Sequence, residues 1–378
     1  MRLLHVTNLI SPHQLPLARK LAEIVGASNF RFAATLPMTT EMGRRGWRND
    51  KIESWILRPA ENEVERLEFK EWLNEADVVI AGYRHVDWFS DRLRNGKLTY
   101  YMSERWWKPP VGMARLLHPR FALMATSFRQ AAKSTYFHYL PMGGYSTTDI
   151  RKIAPLEDRI WNWGYFTEVK DLLPTCFERN GQFRILWAGR MLPWKRVDIL
   201  IRAFALLLHC NPNSRLTLIG DGPCREKLGQ LTRKLDIMGN VDLLSSMTTD
   251  EVRDQMRSAH VYVLPSNGYE GWGAVLNEAM TERCTIVASD AGGAAKTMIR
   301  HGENGLLFSP GDYKKLGDLL RQLSGDESLC SRLAEAGHRT IMKEWSPSTA
   351  AERFLAVSEA LLAKRPTPSF DGGPMARL

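Results

Sequence analysis

Short apolar runs alternate with helical segments in the first half of the chain, and this alternation is the strongest constraint on its fold. The apolar runs read RLLHVTN, FRFAATL, ESWILRP, ADVVIAGY and KLTYYMSE. A helical pattern follows the first run, from about His13 to Ile24, and a charged helical pattern precedes ADVVIAGY. Strands that are separated in this way by helices pair in parallel. The first half therefore predicts a mostly parallel sheet with helices on both faces.

A second cycle of the same kind fills most of the remaining chain. Its apolar runs read FRILWAGR, SRLTLIGDG, NVDLLSS, VYVLPSN and CTIVASD, and each precedes a helical or turn segment. Between the cycles, WNWGYFTEVKDLLPTCFERNGQ has no clear periodicity and is the expected linker. A chain of 378 residues is longer than one hydrophobic core usually serves. We predict an α/β protein of two doubly wound domains, residues 1–165 and 166–345, then a helix over 346–365 and a flexible tail over 366–378.

Composition narrows the partners and the compartment. The formal net charge of +9 and the pI near 9.3 favour an anionic partner, such as a nucleotide, a phospholipid surface or a nucleic acid. The start, MRLLHVTNLI, is too short and polar for a signal peptide, and no stretch has the apolar length of a membrane span. The five cysteines lack C-x-x-C spacing, which indicates free thiols in the cytoplasm and no zinc site: Cys176, Cys210, Cys224, Cys284 and Cys330.

The segment GYEGWGAVLNEAM, residues 268–280, follows the strand VYVLPS and carries two glutamates. Gly271 and Gly273 let backbone amides approach a ligand, and a helix that begins there directs free N–H groups at an anion. Glu270 lies in the loop. Glu278 lies about two turns further along, where a carboxylate suits the vicinal hydroxyls of a ribose. The structural alternative is a solvated loop carboxylate and an exposed helix residue.

A second cluster, AGRMLPWKR, begins where the strand FRILWAG ends. It places Arg190 at the strand end and Lys195 after a short turn, at the edge of the sheet where doubly wound domains bind ligands. Paired cations there neutralise a diphosphate as its charge grows during bond cleavage. The sequence has no D-x-D pair to hold Mg²⁺ or Mn²⁺ against a diphosphate, so we expect no metal. An ordinary basic turn is the alternative.

Together these segments resemble the retaining glycosyltransferases of family four. The resemblance covers almost the whole second half, through FRILWAGRMLPWK, GDGP, NVDLLSSMTTDEV, SNGYEGWGAVLNEAM, ASDAGGAAKTMIRHGENGLLF and EWS. It implies the GT-B architecture, in which two Rossmann-like doubly wound domains face each other across a cleft. It also implies that the last helix crosses back onto the first domain, which is the acceptor-binding domain, while the second domain binds the nucleotide sugar.

The resemblance assigns roles to residues of the second half. In the family, the residues that match Arg190 and Lys195 hold the donor diphosphate. The residue that matches Glu270 contacts the donor sugar, and the one that matches Glu278 binds the ribose. We therefore expect a nucleotide diphosphate sugar as the donor substrate, with no separate cofactor.

Main-chain groups complete the implied donor site. Backbone amides around Gly273, Ala274 and Val275 face the phosphates in the family. The strand end near Leu243 and Leu244 contacts the base mainly through the backbone. This reading leaves the base and the sugar undetermined, and UDP is the favoured nucleotide.

The first half departs from the family pattern. Many relatives carry a glycine pair after the first strand, close to the donor phosphates, whereas this chain has SPHQ at residues 11–14. His13 is then a candidate catalytic contact to donor or acceptor, or else a capping or packed histidine. Where relatives often place a histidine at the sugar end of the cleft, TYYMSERWW offers Glu104, with a surface salt bridge as the alternative. A glutamate common after the GG turn corresponds to Lys296, so part of the donor loop is expected to work differently.

The stretch from Trp106 to Tyr145 has to supply the acceptor contacts, and only short elements such as FALMATS and TYFHYL are predicted in it. Aromatic and basic residues are concentrated at its start. Such residues suit an anionic phospholipid interface, an acceptor groove or packing inside the domain: Trp106, Trp107, Lys108, Arg115 and Arg120. Membrane contact would favour a lipid-linked glycan as the acceptor.

The expected function is metal-independent transfer of a hexose-type sugar to a glycan or lipid-linked glycan, with retention of configuration, in bacterial surface polysaccharide assembly. The enzyme would be cytoplasmic, at or near the inner face of the membrane. A noncatalytic partner subunit of the same fold is the alternative. A nicotinamide-dependent oxidoreductase is disfavoured because neither domain opens with G-x-G-x-x-G. Nucleic-acid binding is disfavoured because the basic residues are dispersed.

Overall fold

The computed structural model describes residues 1–37, 53–82, 86–169 and 181–378. The chain forms two compact units. The first comprises Met1–Glu168 and Glu344–Leu378, and the second comprises Val169–Lys343. Residues 170–180 of the expected linker, which include Cys176, lie outside the described residues.

The first unit is built on a parallel sheet of six strands in the order β3-β2-β1-β4-β5-β6. The strands are β1 (Leu3–Thr7), β2 (Phe30–Ala34), β3 (Ile56–Leu57), β4 (Val78–Gly82), β5 (Leu98–Ser103) and β6 (Phe137–Pro141). The described α-helices between the strands are α1 (Leu15–Val25), α2 (Glu63–Glu75), α3 (Ser90–Arg94) and α4 (Pro119–Ala132), and α5 (Ser146–Arg151) follows β6.

The second unit repeats the plan, with six parallel strands in the order β12-β11-β10-β7-β8-β9. The strands are β7 (Phe183–Ala188), β8 (Ser214–Ile219), β9 (Val241–Leu244), β10 (Val261–Leu264), β11 (Thr285–Ser289) and β12 (Leu306–Phe308). The described helices are α6 (Val197–Leu208), α7 (Arg225–Lys234), α8 (Thr249–Ser258), α9 (Val275–Thr281), α10 (Gly293–Met298), α11 (Tyr313–Gly325) and α12 (Glu327–Lys343). The chain then returns to the first unit with α13 (Pro347–Leu362).

These sheets confirm the prediction of two doubly wound domains. Every residue of β1, β6, β10 and β11 is buried, because helices cover both faces of each sheet. Local signals start several helices where the sequence places them. At α8, Thr248 Oγ1 accepts a hydrogen bond from Glu251 N, and the Glu251 carboxylate accepts one from Thr248 N. FALMATS is not a short element but part of the 14-residue helix α4, which His118 caps.

The C-terminal tail is packed against the first unit, which corrects the expectation of a flexible segment. Met375 N donates to Asn162 O at 2.8 Å, and Asn162 N donates to Ala376 O at 2.8 Å. The Arg377 guanidinium lies 4.8 Å from the ring centre of Trp161. Gly373 and Pro374 begin a turn in which Ala376 N donates to Gly373 O at 3.3 Å, and Arg377 then forms an antiparallel bridge with Trp161. Composition alone predicted a flexible tail because it contains no information about these long-range hydrogen bonds.

Truncation of Met375 tests how firmly the tail is held. Its side chain is fully buried, so Met375→Ala is expected to lower the free energy of unfolding by about 2–5 kcal/mol through lost burial and the cavity that remains. Urea denaturation followed by tryptophan fluorescence measures the loss. Met113→Ala is the matched control, because Met113 is 44% exposed in the same unit. Equal, small effects of the two substitutions would show that the tail is not anchored in solution.

Candidate functional site

The loops that carry the predicted donor residues follow neighbouring strands. β7 and β10 pair in parallel, and the chain runs from β7 to β8 and β9 on one side before it returns to β10 on the other. The strand order therefore reverses between β7 and β10. In doubly wound sheets, ligands bind beyond the carboxyl ends of the strands at such a point. Arg190 and Lys195 follow β7, and Glu270 follows β10.

Two glycines after β8 allow the loop around Arg190 to pack closely. Gly220 has a φ of +135°, and a Cβ there would lie 1.9 Å from the carbonyl oxygen of Gly189. Gly222 has a φ of +149°, and its Cβ would lie 2.7 Å from the carbonyl oxygen of Met191. The GDGP motif thus permits backbone contact on both sides of Arg190. The Arg190 side chain itself is exposed just beyond the end of β7.

Lys195 and Glu270 form a close ion pair. Lys195 Nζ lies 2.6 Å from Glu270 Oε2, and the two side chains are only 18% and 10% exposed. The backbone also ties the two loops, because Asn267 N donates to Trp194 O at 2.9 Å. A pair with this little exposure is screened far less than a surface salt bridge. The structure therefore brings these two predicted residues together, which neither a solvated basic turn nor a solvated loop carboxylate would require.

Other side chains fix the loop around Glu270. The Ser266 hydroxyl, fully buried, donates to Glu270 Oε2 at 2.8 Å. Trp272 is also buried, and its indole Nε1 donates to Asn277 Oδ1 at 2.9 Å. The sequence signal for Ser266 is a hydroxyl immediately after the strand VYVLP, four residues before the glutamate, and sequence reasoning missed it. The result is a carboxylate held by an ammonium group and a hydroxyl in a rigid loop.

Gly273 begins the turn into α9, and Glu278 lies within that helix. Gly273 has a φ of +91°, and a Cβ there would lie 3.2 Å from Leu264 Cδ2, which explains the need for glycine. Ala274 is the N-cap of α9, followed by Val275. Glu278 is buried rather than exposed, so the structural alternative of an exposed helix residue is wrong. Burial raises the pKa of Glu278 from 4.5 to about 7, against an opposing effect of Arg253.

Tyr262 links the two strands beneath this site. Its hydroxyl donates to the carbonyl oxygen of Ala188 at 3.0 Å. Burial raises the pKa of Tyr262 well above its ordinary value, and the carboxylates of Glu278 and Glu270 add to the rise. The phenol therefore stays neutral at physiological pH. Both glutamates lie within electrostatic reach of this one side chain.

The predicted base contact near Leu243 and Leu244 involves a residue that sequence reasoning missed. Arg225 donates through Nη1 to Leu244 O at 2.8 Å and through Nη2 to Leu243 O at 3.0 Å. Gly220 N also donates to Leu244 O, at 3.1 Å, which occupies both lone pairs of that oxygen. The sequence signal for Arg225 is an arginine two residues after GDGP. A base contact here stays a prediction, and it has to use groups other than the Leu244 carbonyl oxygen.

Two of the predicted residues belong to the first unit. Gln14, not His13, is the N-cap of α1, so the capping alternative for His13 is wrong. The His13 ring packs 6.1 Å from that of Tyr165, and burial lowers the pKa of His13 to about 4, so the imidazole is neutral at physiological pH. Glu104 follows β5 and pairs with Lys108 at 3.2 Å. In the second unit, Lys296 is exposed on α10.

The tryptophans proposed for a lipid interface are inside the first unit. Trp106 and Trp107 are 5% and 3% exposed. The Trp106 indole donates to Ser103 Oγ at 2.9 Å, and the Trp107 indole donates to Asp149 O at 3.0 Å. Insertion of these rings at headgroup depth is therefore excluded in this conformation, because both indoles are already packed and hydrogen-bonded. Among the described helices, none has the length and apolar character needed to cross a membrane.

Comparison with known proteins agrees with the geometry of the second unit. Residues 176–340 match the family described as Glycosyl transferases group 1. The lipopolysaccharide core biosynthesis glycosyltransferase LpsE of Rhizobium meliloti is 31% identical over 182 residues, which cover 48% of this chain and 50% of LpsE. The chain spans half or less of the length of the first curated relatives it matches, from 18% to 50%. The sequence similarity thus supports the group 1 family through the second unit.

Solved structures resemble both units. The Anabaena protein Alr3699/HepE, crystallised with UDP, has a TM-score of 0.67 at 17% identity, with 96% of this chain and all of that chain covered (100%). WaaG, a glycosyltransferase involved in lipopolysaccharide biosynthesis, has a TM-score of 0.62 at 18% identity, with 93% of this chain and 98% of WaaG covered. With the two parallel sheets, these similarities show the two-domain, Rossmann-like GT-B fold.

Proposed function

We propose that this protein is a glycosyltransferase that takes a sugar from a nucleotide diphosphate donor bound by the second unit. The observation that carries the proposal is the Lys195–Glu270 pair, at 2.6 Å, where the strand order reverses. This pair lies inside the segment that matches the group 1 glycosyltransferases. Such a donor needs a cation that neutralises its diphosphate and a carboxylate that orients its sugar, and the pair supplies both groups.

In the proposed reaction, the oxygen of an acceptor hydroxyl forms a bond to the anomeric carbon of the donor. The bond between that carbon and the diphosphate oxygen breaks, and the bonding electrons leave with the nucleotide diphosphate. The acceptor proton passes to the departing phosphate oxygen, so no separate strong base is needed. Attack from the face that the diphosphate leaves retains configuration, as in family four, to which we assign the chain. Lys195 and Arg190 stabilise the leaving diphosphate, and Glu270 orients the sugar.

The proposal needs no metal ion. The chain has no D-x-D pair, and Arg190 and Lys195 supply positive charge at the proposed diphosphate position. Within the described ranges, no three histidine, cysteine, aspartate or glutamate side chains are grouped so that they would hold a metal ion. Turnover in the presence of EDTA that equals turnover with added Mg²⁺ is the expected result.

The acceptor is proposed to be a glycan or a lipid-linked glycan of a bacterial surface polysaccharide. The name of LpsE, a lipopolysaccharide core glycosyltransferase, supports this class. The chain would act on the cytoplasmic side, where nucleotide sugars are made. The matched relatives extend beyond the shared segment. The proposed acceptor class is therefore supported by the names of these relatives and not by the shared residues.

Nucleotide binding and donor hydrolysis test this proposal directly. The panel consists of UDP-, GDP-, ADP- and TDP-sugars, each assayed for thermal stabilisation of the protein. UDP is placed first, because the similar HepE was crystallised with it. The expected result is stabilisation by one nucleotide, slow hydrolysis of its sugar, and an α-configured product from an α-linked donor by NMR. Tight binding without any hydrolysis would instead indicate a noncatalytic partner subunit.

The pKa of Glu278 makes nucleotide binding depend on pH. Its carboxyl has a pKa of about 7 in the free protein, raised by burial from 4.5. Ribose hydroxyls that donate to the carboxylate favour the charged form, so binding is expected to release a proton near pH 7 and the affinity for UDP to rise as the pH increases through about 7. The raised pKa of Glu278 also makes the stability of the free protein depend on pH. The contribution of the Glu278 carboxyl to the free energy of unfolding is intact below about pH 4.5 and is lost as the pH rises through about 7.

Calorimetry in buffers of different ionisation enthalpy measures the proton released on UDP binding, expected at roughly half a proton per site near pH 7. Glu278→Gln removes the titrating group and is expected to abolish the release while the chain stays folded. An equal release by the glutamine variant would show that another group titrates and that Glu278 does not bind the ribose.

A further inference from the structure

A cavity of about 450 Å³ lies within the first unit, and all the residues that line it belong to that unit. Thr7 at the end of β1, Gly82 at the end of β4 and Ser103 at the end of β5 contribute to its wall. The strand order of this sheet reverses between β1 and β4. The cavity therefore occupies the position where doubly wound sheets bind ligands, and its volume suits a small sugar. We call it the basic pocket.

The charge of the basic pocket is strongly one-sided. Among the described residues that line it, Glu104 is the one acidic side chain and four are cationic: Arg105, Lys108, Arg115 and Arg120. Glu104 is already paired with Lys108 at 3.2 Å. Arg105 is balanced from behind by Asp149, 3.6 Å from its Nε. Within the described residues, neither Arg115 nor Arg120 forms an ion pair. Two positive charges at the wall thus have no ion-pair partner in the part of the chain that the structure describes.

Contacts hold Trp106 and Arg115 in place at the wall, whereas Arg120 is exposed at its rim. Trp106 is buried, and its indole is held by Ser103 Oγ at 2.9 Å. Arg115 Nη1 donates to Trp106 O at 3.4 Å, and its guanidinium lies 5.5 Å from the ring centre of Phe121. Trp106, Phe121 and Met124 supply apolar surface beside these cations. An aromatic and apolar wall next to a positioned guanidinium is suited to a sugar ring that carries a negative group.

We propose that the basic pocket binds the acceptor and that this acceptor is an anionic sugar, with its phosphate or carboxylate held by Arg115 and Arg120. That the ligand is the acceptor rests on the proposed function. That the ligand is anionic rests on the cavity alone. A neutral acceptor would accept hydrogen bonds from these guanidinium groups only through hydroxyl oxygens, whereas an anionic group gains the stronger charge-assisted bonds. A planar, bidentate donor such as arginine suits both phosphate and carboxylate.

Binding of small probes tests the pocket without knowledge of the natural acceptor. Glucose 6-phosphate, glucuronate, glucose and inorganic phosphate are titrated separately against the whole protein by NMR. Both anionic sugars are expected to bind at least about tenfold more tightly than glucose, because each gains a charge-assisted contact. A preference for glucose 6-phosphate alone or for glucuronate alone would identify the anion. Equal affinity for glucose and for both anionic sugars would overturn the proposal, as would inorganic phosphate binding as tightly as the sugar phosphate.

Variants assign the anion to the two arginines. Arg115→Gln with Arg120→Gln is expected to abolish the preference for anionic sugars, while Arg115→Lys with Arg120→Lys keeps part of it. Arg66→Gln is the matched control, because Arg66 is an exposed arginine of the same unit. A preference that survives in the double glutamine variant, with an unchanged melting profile, would overturn the assignment.

Two further measurements distinguish this proposal from the proposed donor function and from binding to a membrane surface. UDP binding and donor hydrolysis report on the second unit and are expected to be unchanged in the double glutamine variant, since neither arginine belongs to that unit. An unmodified protein that hydrolyses the donor but shows no preference for anionic sugars would overturn the pocket proposal and leave the proposed function standing. Binding to phosphatidylglycerol vesicles that depends on Arg115 and Arg120, without binding of the anionic sugars, would assign these cations to a membrane surface and overturn the proposal.

Discussion

Replacing Lys195 by alanine is expected to lower the rate of sugar transfer by about two to three orders of magnitude, because one charge contact to a leaving group contributes about 2–4 kcal/mol to the transition state. Glu270→Gln is expected to have a comparable effect, since it keeps the shape of the side chain but removes the charge that holds Lys195 at 2.6 Å. The measurement is kcat and KM for the nucleotide sugar identified by the binding panel. Both variants should fold, because Ser266 and the backbone contact of Asn267 still hold the loop.

The combined variant separates a shared function from two independent ones. When two residues act as a unit, replacing both costs less transition-state stabilisation than the sum of the two single losses. The rate of sugar transfer by Lys195→Ala with Glu270→Gln is therefore expected to resemble that of either single variant. Lys234→Ala, which removes an exposed lysine of the same unit, serves as the control and should leave kcat unchanged. Transfer by Lys195→Ala within about threefold of the unmodified protein would contradict the assignment of the donor site.

A methyl group at Gly220 is expected to lower the free energy of unfolding by about 3 kcal/mol or more, the range of severe backbone strain and overpacking. The new Cβ would lie 1.9 Å from Gly189 O, in a backbone conformation with φ of +135°. Because Gly189 precedes Arg190, relief of the clash has to displace the loop that presents the arginine. The affinity for UDP should therefore fall together with the stability, and urea denaturation and calorimetry measure the two losses.

Gly239→Ala gives the matched comparison for this effect. A Cβ at Gly239 would have no heavy atom within 4 Å, so the same chemical change is expected to alter stability by about 0.5 kcal/mol or less. If Gly220→Ala and Gly239→Ala proved equally mild, the close backbone approach between the loops after β7 and β8 would not exist in solution.

The periodic features of the chain were predictable without the structure. Two cycles of apolar runs separated by helical segments specify two parallel sheets, because burial on both faces makes each strand a continuous apolar run. Glycines in GDGP and in the GYEGWG loop mark backbone positions that other residues do not adopt, and the structure gives Gly220 and Gly273 positive φ values of +135° and +91°. These signals are local, so the sequence carries them directly.

Contacts between distant segments were not predictable in the same way. Lys195 and Glu270 are 75 positions apart, and only the pairing of β7 with β10 brings their loops together. Arg225 reaches Leu243 and Leu244 by the same kind of long-range contact.

The sequence by itself determined the two doubly wound sheets, the glycine turns and the residue types at the strand ends, since these follow from periodicity and backbone conformation. The tertiary structure alone decided which side chains meet, that Trp106 is inside the domain rather than at a lipid surface, and that the tail is pinned through Met375. The physical reason is that burial and hydrogen bonding depend on distances in space, and a linear pattern encodes those distances only after the chain has folded.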